Sequence, residues 1–125
     1  MLKEGMTLVE EKIVEEKETA KNIGSGNVDV YSTPMMIALM ENTALKLAQK
    51  ELEEGLATVG ITVNIKHLKA NAIGDKVTCT ATLEKIDGKK LSFYVKVTHE
   101  DELIGEGTHD RFIIDEKKFM EKVKR

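Results

Sequence analysis

Thr33, Glu41 and His67 bring together a hydroxyl, a carboxylate and an imidazole. These are the parts acyl transfer uses: a nucleophile or activated water, a base, and a group that shuttles a proton. Glu41 is the most informative of the three. Its neighbours three and four positions away on either side are Ile37, Ala38, Ala44 and Leu45. Residues at those spacings share a helix face, so a carboxylate is inserted into an apolar stripe. Burying an unpaired carboxylate costs several kcal/mol, and a polar partner is therefore expected. The candidate is His67, because it ends the alternating run Val59, Ile61, Val63 and Ile65 and so continues an apolar strand face.

Each of these residues also has an ordinary structural explanation. A threonine before proline at a helix start is an N-cap, a carboxylate in an apolar stripe pairs with a buried cation, and a strand histidine is often simply hydrogen-bonded. Their coincidence in one chain raises the chemical reading. A helix start at Thr33 would also put first-turn N–H groups, from Met35 and Met36 onward, near the hydroxyl, where they could stabilise an oxyanion. The eight positions from Thr33 to Glu41 correspond to about 12 Å of helical rise, too far for direct contact. Either a substrate or water spans that gap, the chain near Thr33 leaves the helix axis, or the site is shared between subunits. An expected dimer favours the last.

The elements that must position these groups can be read from periodicity. Thr7 to Lys21 fits a first strand with a charged outer face, and Asn22 to Ser32, with Gly24 and Gly26, reads as a loop. Ser32-Thr33-Pro34 signals a helix start, and the helical pattern runs from Pro34 to about Glu53, with Gly55 as its C-terminal cap. The period then becomes two over Thr58 to Leu68, Lys76 to Ile86, Leu91 to Thr98 and Leu103 to Ile114. Asp87-Gly88 marks a tight hairpin, so the later strands form an antiparallel meander. A short charged helix, Glu116 to Arg125, closes the chain. The sum is an α+β layer arrangement of about five strands and one long helix. One helix cannot cover both edges of such a sheet, which implies a homodimer, with a dimer of dimers left open.

At 125 residues the chain, 1–125, is expected to be one domain. Nineteen basic and twenty-two acidic residues give a net charge of −3, which offers nucleic acid or an anionic membrane no attraction. No signal core, transit pattern or membrane-length apolar stretch is present, and a cytoplasmic location is expected. Cys79 shares a strand face with Val77, Ala81 and Leu83 and reads as a core residue. His99 belongs to an acidic turn, and His109 lies two residues before Arg111 on one strand face. No ligand spacing for a metal emerges, and the glycines of 105–107 form no phosphate loop because no helix follows them, so no cofactor is expected. They read instead as places of close backbone approach.

The arrangement resembles the hotdog-fold acyl-CoA thioesterases, and more closely the fluoroacetyl-CoA thioesterase family, over nearly the whole chain. Thr33-Pro34-Met35-Met36-Ile37-Ala38-Leu39-Met40-Glu41 resembles that family's threonine-to-Leu-Met-Glu helix segment. Gly60 through His67 resembles its second strand, and Ile104-Gly105-Glu106-Gly107-Thr108-His109-Asp110-Arg111 its Ile-Gly-x-Gly-Thr-His-x-Arg strand. The resemblance implies that Thr33, Glu41 and His67 are catalytic and that Gly60 and Arg111 contact the acyl-CoA. Pro34 stands where the family has glycine, and the Asn22 to Tyr31 loop lacks the aromatic residues of a gate for a fluorinated substrate. The activity implied is hydrolysis of a small or medium acyl-CoA. A hotdog hydroxyacyl-thioester dehydratase and a non-catalytic acyl-CoA-binding module are the alternatives.

Overall fold

The computed structural model describes residues 1–124. The chain forms β1 (Thr7–Ile13), a 3-10 turn (Glu16–Glu18), α1 (Ala20–Ile23) and α2 (Thr33–Gln49). It continues through β2 (Leu56–His67), β3 (Lys76–Asp87), β4 (Lys90–His99), β5 (Glu102–Asp115) and α3 (Glu116–Lys124). The strands make one sheet in the order β1-β3-β4-β5-β2, with every neighbouring pair antiparallel. The expected α+β arrangement of one long helix on a five-stranded sheet is therefore present. β2 lies beside the last strand and forms one edge, while β1 forms the other. The Asp87–Lys90 pair encloses Gly88, whose φ of 61° suits the tight turn.

Period-two alternation explains the sheet's inner face. Val77, Cys79, Ala81 and Leu83 of β3 and Leu91, Phe93, Val95 and Val97 of β4 are all buried, each at 0 or 1% exposure. Met36, Met40, Ala44 and Leu47 of α2, at three- and four-residue steps, pack onto that face and are equally buried. Each large side chain so buried contributes roughly 1.5–3 kcal/mol. Gly107 permits β5 to lie close against β2, since a Cβ there would fall 2.0 Å from the Asn64 carbonyl oxygen.

Two expectations are corrected. The first strand stops at Ile13 rather than continuing to Lys21, because the buried Glu18 carboxylate accepts hydrogen bonds from the Lys12 ammonium at 2.7 Å and the Glu15 amide at 2.9 Å, folding the chain back. The main helix ends at Gln49, not Glu53, and Gly55, at φ 91°, serves the turn into β2. The closing helix was expected to reach Arg125, which lies outside the described residues.

β2 departs from simple alternation. Gly60 pairs with Arg111 but Thr62 pairs with Asp110, so Ile61 is an extra residue in a β-bulge. The bulge reverses the faces, so that Val59, opposite Phe112, is on the other face from Val63 and Ile65. The single apolar face expected from Val59 to His67 is thus broken in two. Ile61 and Val63 remain 51% and 43% exposed on this edge strand.

Candidate active site

The start of α2 is fixed from several directions. The Ser32 amide donates to the Glu18 carbonyl at 3.1 Å, the Tyr31 amide to the Asn71 carbonyl at 2.9 Å, and the Tyr31 hydroxyl to the Met35 carbonyl at 3.3 Å. Ser32, in extended conformation, is the N-cap, and its Oγ accepts from the Met35 amide at 3.2 Å. The capping role read for threonine is filled by its neighbour, so the Thr33 hydroxyl is not the cap. Thr33 Oγ lies 2.8 Å from His67 Nδ1. Both residues line a cavity of about 260 Å³ together with Ala20, Ser25, Tyr31 and Leu68.

The first-turn N–H groups that the sequence offers as oxyanion donors are already engaged. The Met35 amide is held by Ser32 Oγ and the Met36 amide by the Ser32 carbonyl at 3.0 Å. Pro34 has no N–H. Among the described residues the Thr33 amide makes no hydrogen bond, and it is the first-turn donor left beside the Thr33 hydroxyl.

His67 ends β2, where the Leu68 and Lys69 amides both donate to the Ile104 carbonyl, at 2.6 and 3.2 Å. Burial lowers the pKa of His67, with the Lys69 backbone acting the other way. Its Nε2 is buried and, among the described residues, closes no hydrogen bond. A neutral ring carrying its proton on Nε2 leaves the Nδ1 lone pair facing Thr33, in position to accept the hydroxyl proton.

A second cluster stands further along α2. The Glu41 side chain, 41% exposed, has Oε2 3.9 Å from Nη1 of Arg111. Arg111 is 6% exposed, and its Nε and Nη2 donate to the Thr58 hydroxyl and carbonyl at 2.8 and 3.0 Å. Nη1 lies 3.1 Å from His109 Nε2, and His109 Nδ1 lies 2.8 Å from the Thr62 carbonyl oxygen. Gly60 completes the wall. A Cβ at that position would be 3.0 Å from Glu41 Oε2 and 3.2 Å from His109 Cε1, so the absence of a side chain is what lets the carboxylate approach the sheet.

The bulge makes the two clusters compatible. Gly60 and His67 are seven positions apart, and in a regular strand they would point to opposite faces. The extra residue at Ile61 restores the parity, so both face α2.

Thr33 and His67 are thus brought together, and so are Glu41, Gly60 and Arg111, but the two groups are separate. The expected Glu41–His67 pair is absent among the described residues, because the cation facing Glu41 is Arg111. Glu41 also sits at the margin of the core-facing stripe of α2 rather than inside it. Ser32, Thr58 and His109 are given no site role by the sequence reading. Of these, only His109 carried a signal, its two-residue spacing from Arg111 on a shared strand face. His99 is remote in chemistry, with Nδ1 donating to the Lys76 carbonyl at 2.7 Å. Among the described residues no group of three or more His, Cys, Asp or Glu could hold a metal, and no helix is long and apolar enough to cross a membrane.

Comparison with known proteins gives this geometry a context. The model of the fluoroacetyl-CoA-specific thioesterase family matches residues 14–117. A fluoroacetyl-CoA thioesterase from Streptantibioticus cattleyicolor is 34% identical over 97 residues, covering 78% of this chain and 70% of the relative. The crystal structure of a mutant fluoroacetyl-CoA-specific thioesterase in complex with fluoroacetate and CoA superposes with a TM-score of 0.89 at 27% identity, over 94% of this chain and 99% of that one. A hot-dog-like protein from Thermanaerovibrio acidaminovorans, 22% identical, shares the fold with a TM-score of 0.87 over 95% of this chain and 88% of its own.

Proposed function

The chain belongs to the fluoroacetyl-CoA-specific thioesterase family and is a hotdog-fold acyl-CoA thioesterase, and on that premise we propose that Thr33, His67 and Glu41 carry the hydrolysis. The observation that supports this reading most is the 2.8 Å contact of Thr33 Oγ with His67 Nδ1 at the mouth of a cavity. His67 takes the hydroxyl proton as Thr33 Oγ attacks the thioester carbon. The oxyanion forms beside the Thr33 amide at the positive end of α2. CoA leaves as thiolate and takes the proton from His67, leaving the acyl group on Thr33. Water, deprotonated by Glu41, then attacks that ester and releases the free acid, returning a proton to Thr33 Oγ.

About 12 Å of helical rise separates Thr33 from Glu41, so one chain's Glu41 does not serve its own Thr33 directly. The site is completed in a homodimer, in which Glu41 of the partner subunit meets the Thr33–His67 pair. The exposed Ile61 and Val63 of edge strand β2, with the half-buried Ile37 and Leu45 beside Glu41, are the apolar surface such a dimer would cover. Gly60 and Arg111 form the wall against which the carboxylate and the acyl end of the substrate rest. The substrate is a small or medium acyl-CoA. The protein works as one domain in the cytoplasm, where CoA thioesters are kept.

Free-thiol release from a panel of short and medium acyl-CoAs, combined with mass spectrometry after rapid quenching, tests the mechanism. An acyl adduct on Thr33 that accumulates in Glu41→Gln is the expected result. CoA release at the parent rate by Thr33→Ala would overturn it.

A further inference from the structure

His109 has no role in the chemistry described so far, yet it is 1% exposed and joins two features on which that chemistry depends. On one side Nδ1 is 2.8 Å from the Thr62 carbonyl oxygen, an acceptor that fixes the ring proton on Nδ1. Thr62 is the residue at which β2 pairing resumes after the Ile61 bulge. On the other side the bare Nε2 accepts from Nη1 of Arg111 at 3.1 Å, the same nitrogen that faces Glu41 at 3.9 Å. The ring is also packed on Phe93, with centroids 6.3 Å apart and planes 29° from parallel.

We infer that His109 is a positioning residue for the thioesterase reaction. As a neutral ring protonated on Nδ1, it ties the β2 bulge to the Arg111 guanidinium and so holds both Gly60 and Arg111 against the Glu41 carboxylate. The inference rests on Glu41 serving the reaction. Two features support it beyond the hydrogen bonds. Position 60 is closely packed, with Glu41 Oε2, His109 Cε1 and Arg111 Nη1 within 3.0 to 3.4 Å of where a Cβ would sit, so a small shift of the bulge is transmitted to all three. Burial, reinforced by the charge of Arg111 and opposed by the Thr62 hydrogen bond, holds the ring's pKa below the ordinary histidine range, which keeps Nε2 available as an acceptor. An imidazolium would lose that acceptor and set two cations side by side.

Three full-length variants separate positioning from packing. His109→Phe keeps a ring against Phe93 and removes both hydrogen bonds. His109→Gln puts an amide oxygen near the place of Nε2 and restores an acceptor for Arg111, while His109→Asn restores only the donor to Thr62. With acetyl-CoA as probe, His109→Phe is expected to lower kcat by about 100-fold with KM within about threefold, the size of loss that follows an ångström-scale misplacement. Gln should recover to within about fivefold of the parent, and Asn should recover less, because the Arg111 contact is the one that reaches Glu41. A kcat for His109→Phe within about threefold of the parent, or a Gln variant no better than Phe, would overturn the inference.

Thr33→Ala, measured alongside, keeps the two claims apart. If it abolishes CoA release while His109→Phe does not, only the positioning role fails. If Thr33→Ala retains the parent rate, the reading of the site fails and the role of His109 falls with it. Should the Phe variant not fold, the ring nitrogens of the parent protein decide by multiple-bond 15N–1H spectroscopy. A neutral ring with its proton on Nδ1 at pH 7 is expected, and a proton on Nε2 or a charged ring would overturn the assignment.

Discussion

At the N-terminal end of α2 Thr33 is exposed and, among the described residues, its hydroxyl has one side-chain partner, His67, in the lining of a cavity. About two turns further along, the Glu41 carboxylate faces a wall in which Arg111 and His109 are buried and linked by hydrogen bonds to Thr58 and Thr62. Both ends face the same strand, yet one is open and lightly held and the other is closed and heavily wired. On the proposed mechanism the difference follows what each must do. A nucleophile has to admit a bulky thioester and change its bonding during the reaction, so few fixed contacts suit it. A carboxylate that directs a water gains from a rigid frame, because small displacements of a base are costly in rate.

Substitutions at the open end should therefore show mostly in rate, and those at the closed end in both rate and stability. The largest effect is expected from Thr33→Ala and His67→Ala, each lowering kcat by roughly 10²–10⁴-fold, with unfolding midpoints near the parent's; a large loss of stability in Thr33→Ala would blur the contrast. Arg111→Met comes next. It leaves the Thr58 oxygens and His109 Nε2 without their donor in a buried setting, and denaturant titration should register a loss of about 1–3 kcal/mol together with slower turnover. Gly60→Ala is smaller, because the Glu41 carboxylate can swing away from the new methyl. About 1 kcal/mol of overpacking is expected, with a drop in kcat larger than any change in KM.

pH sharpens the same contrast with the least dramatic effect. Burial depresses the pKa of His67, and the Thr33 proton needs a neutral ring, so the acid limb of kcat/KM should fall below the ordinary histidine value of about 6.5. Rate–pH profiles showing an acid limb above that value would contradict the arrangement. The linkage to stability has the same sign. His67 and His109 both have folded pKa values below their unfolded ones, so their contribution is fully present above about pH 6.5 and is lost as the pH falls through the folded values. Replacing His109 by Gln should flatten this acid loss of stability.

Much of this architecture was legible in the residues. Alternation over β3 and β4 gave their inward faces because a buried face imposes period two, and Asp87-Gly88 located a hairpin because its turn needs a positive φ at glycine. The helix start was legible to within one residue. What Ser32-Thr33-Pro34 did not reveal is which hydroxyl caps the helix, since either residue type can do so; the choice was made by the contacts that hold Tyr31 and Ser32 to Asn71 and Glu18. The partner of Glu41 was misread for a different reason. Extending one apolar face from Val59 to His67 assumed a regular strand, and a single inserted residue at Ile61 reverses every side chain beyond it. Bulges leave little trace in composition. His109 was undervalued because its importance lies in bridging Thr62 and Arg111, a relation set by strand pairing rather than by spacing along the chain.

The claim on which the rest depends is that the open end of one helix and the closed end of another make one site. Thr33→Ala and Glu41→Gln subunits, given different affinity tags, can be coexpressed and the heterodimer purified. If sites are shared, one of its two sites unites an intact Thr33 with an intact Glu41, and the heterodimer should release CoA at about half the parental rate per dimer although both homodimers are nearly inactive. A heterodimer as inactive as its parents would show that each chain must supply both groups itself, and would contradict the account.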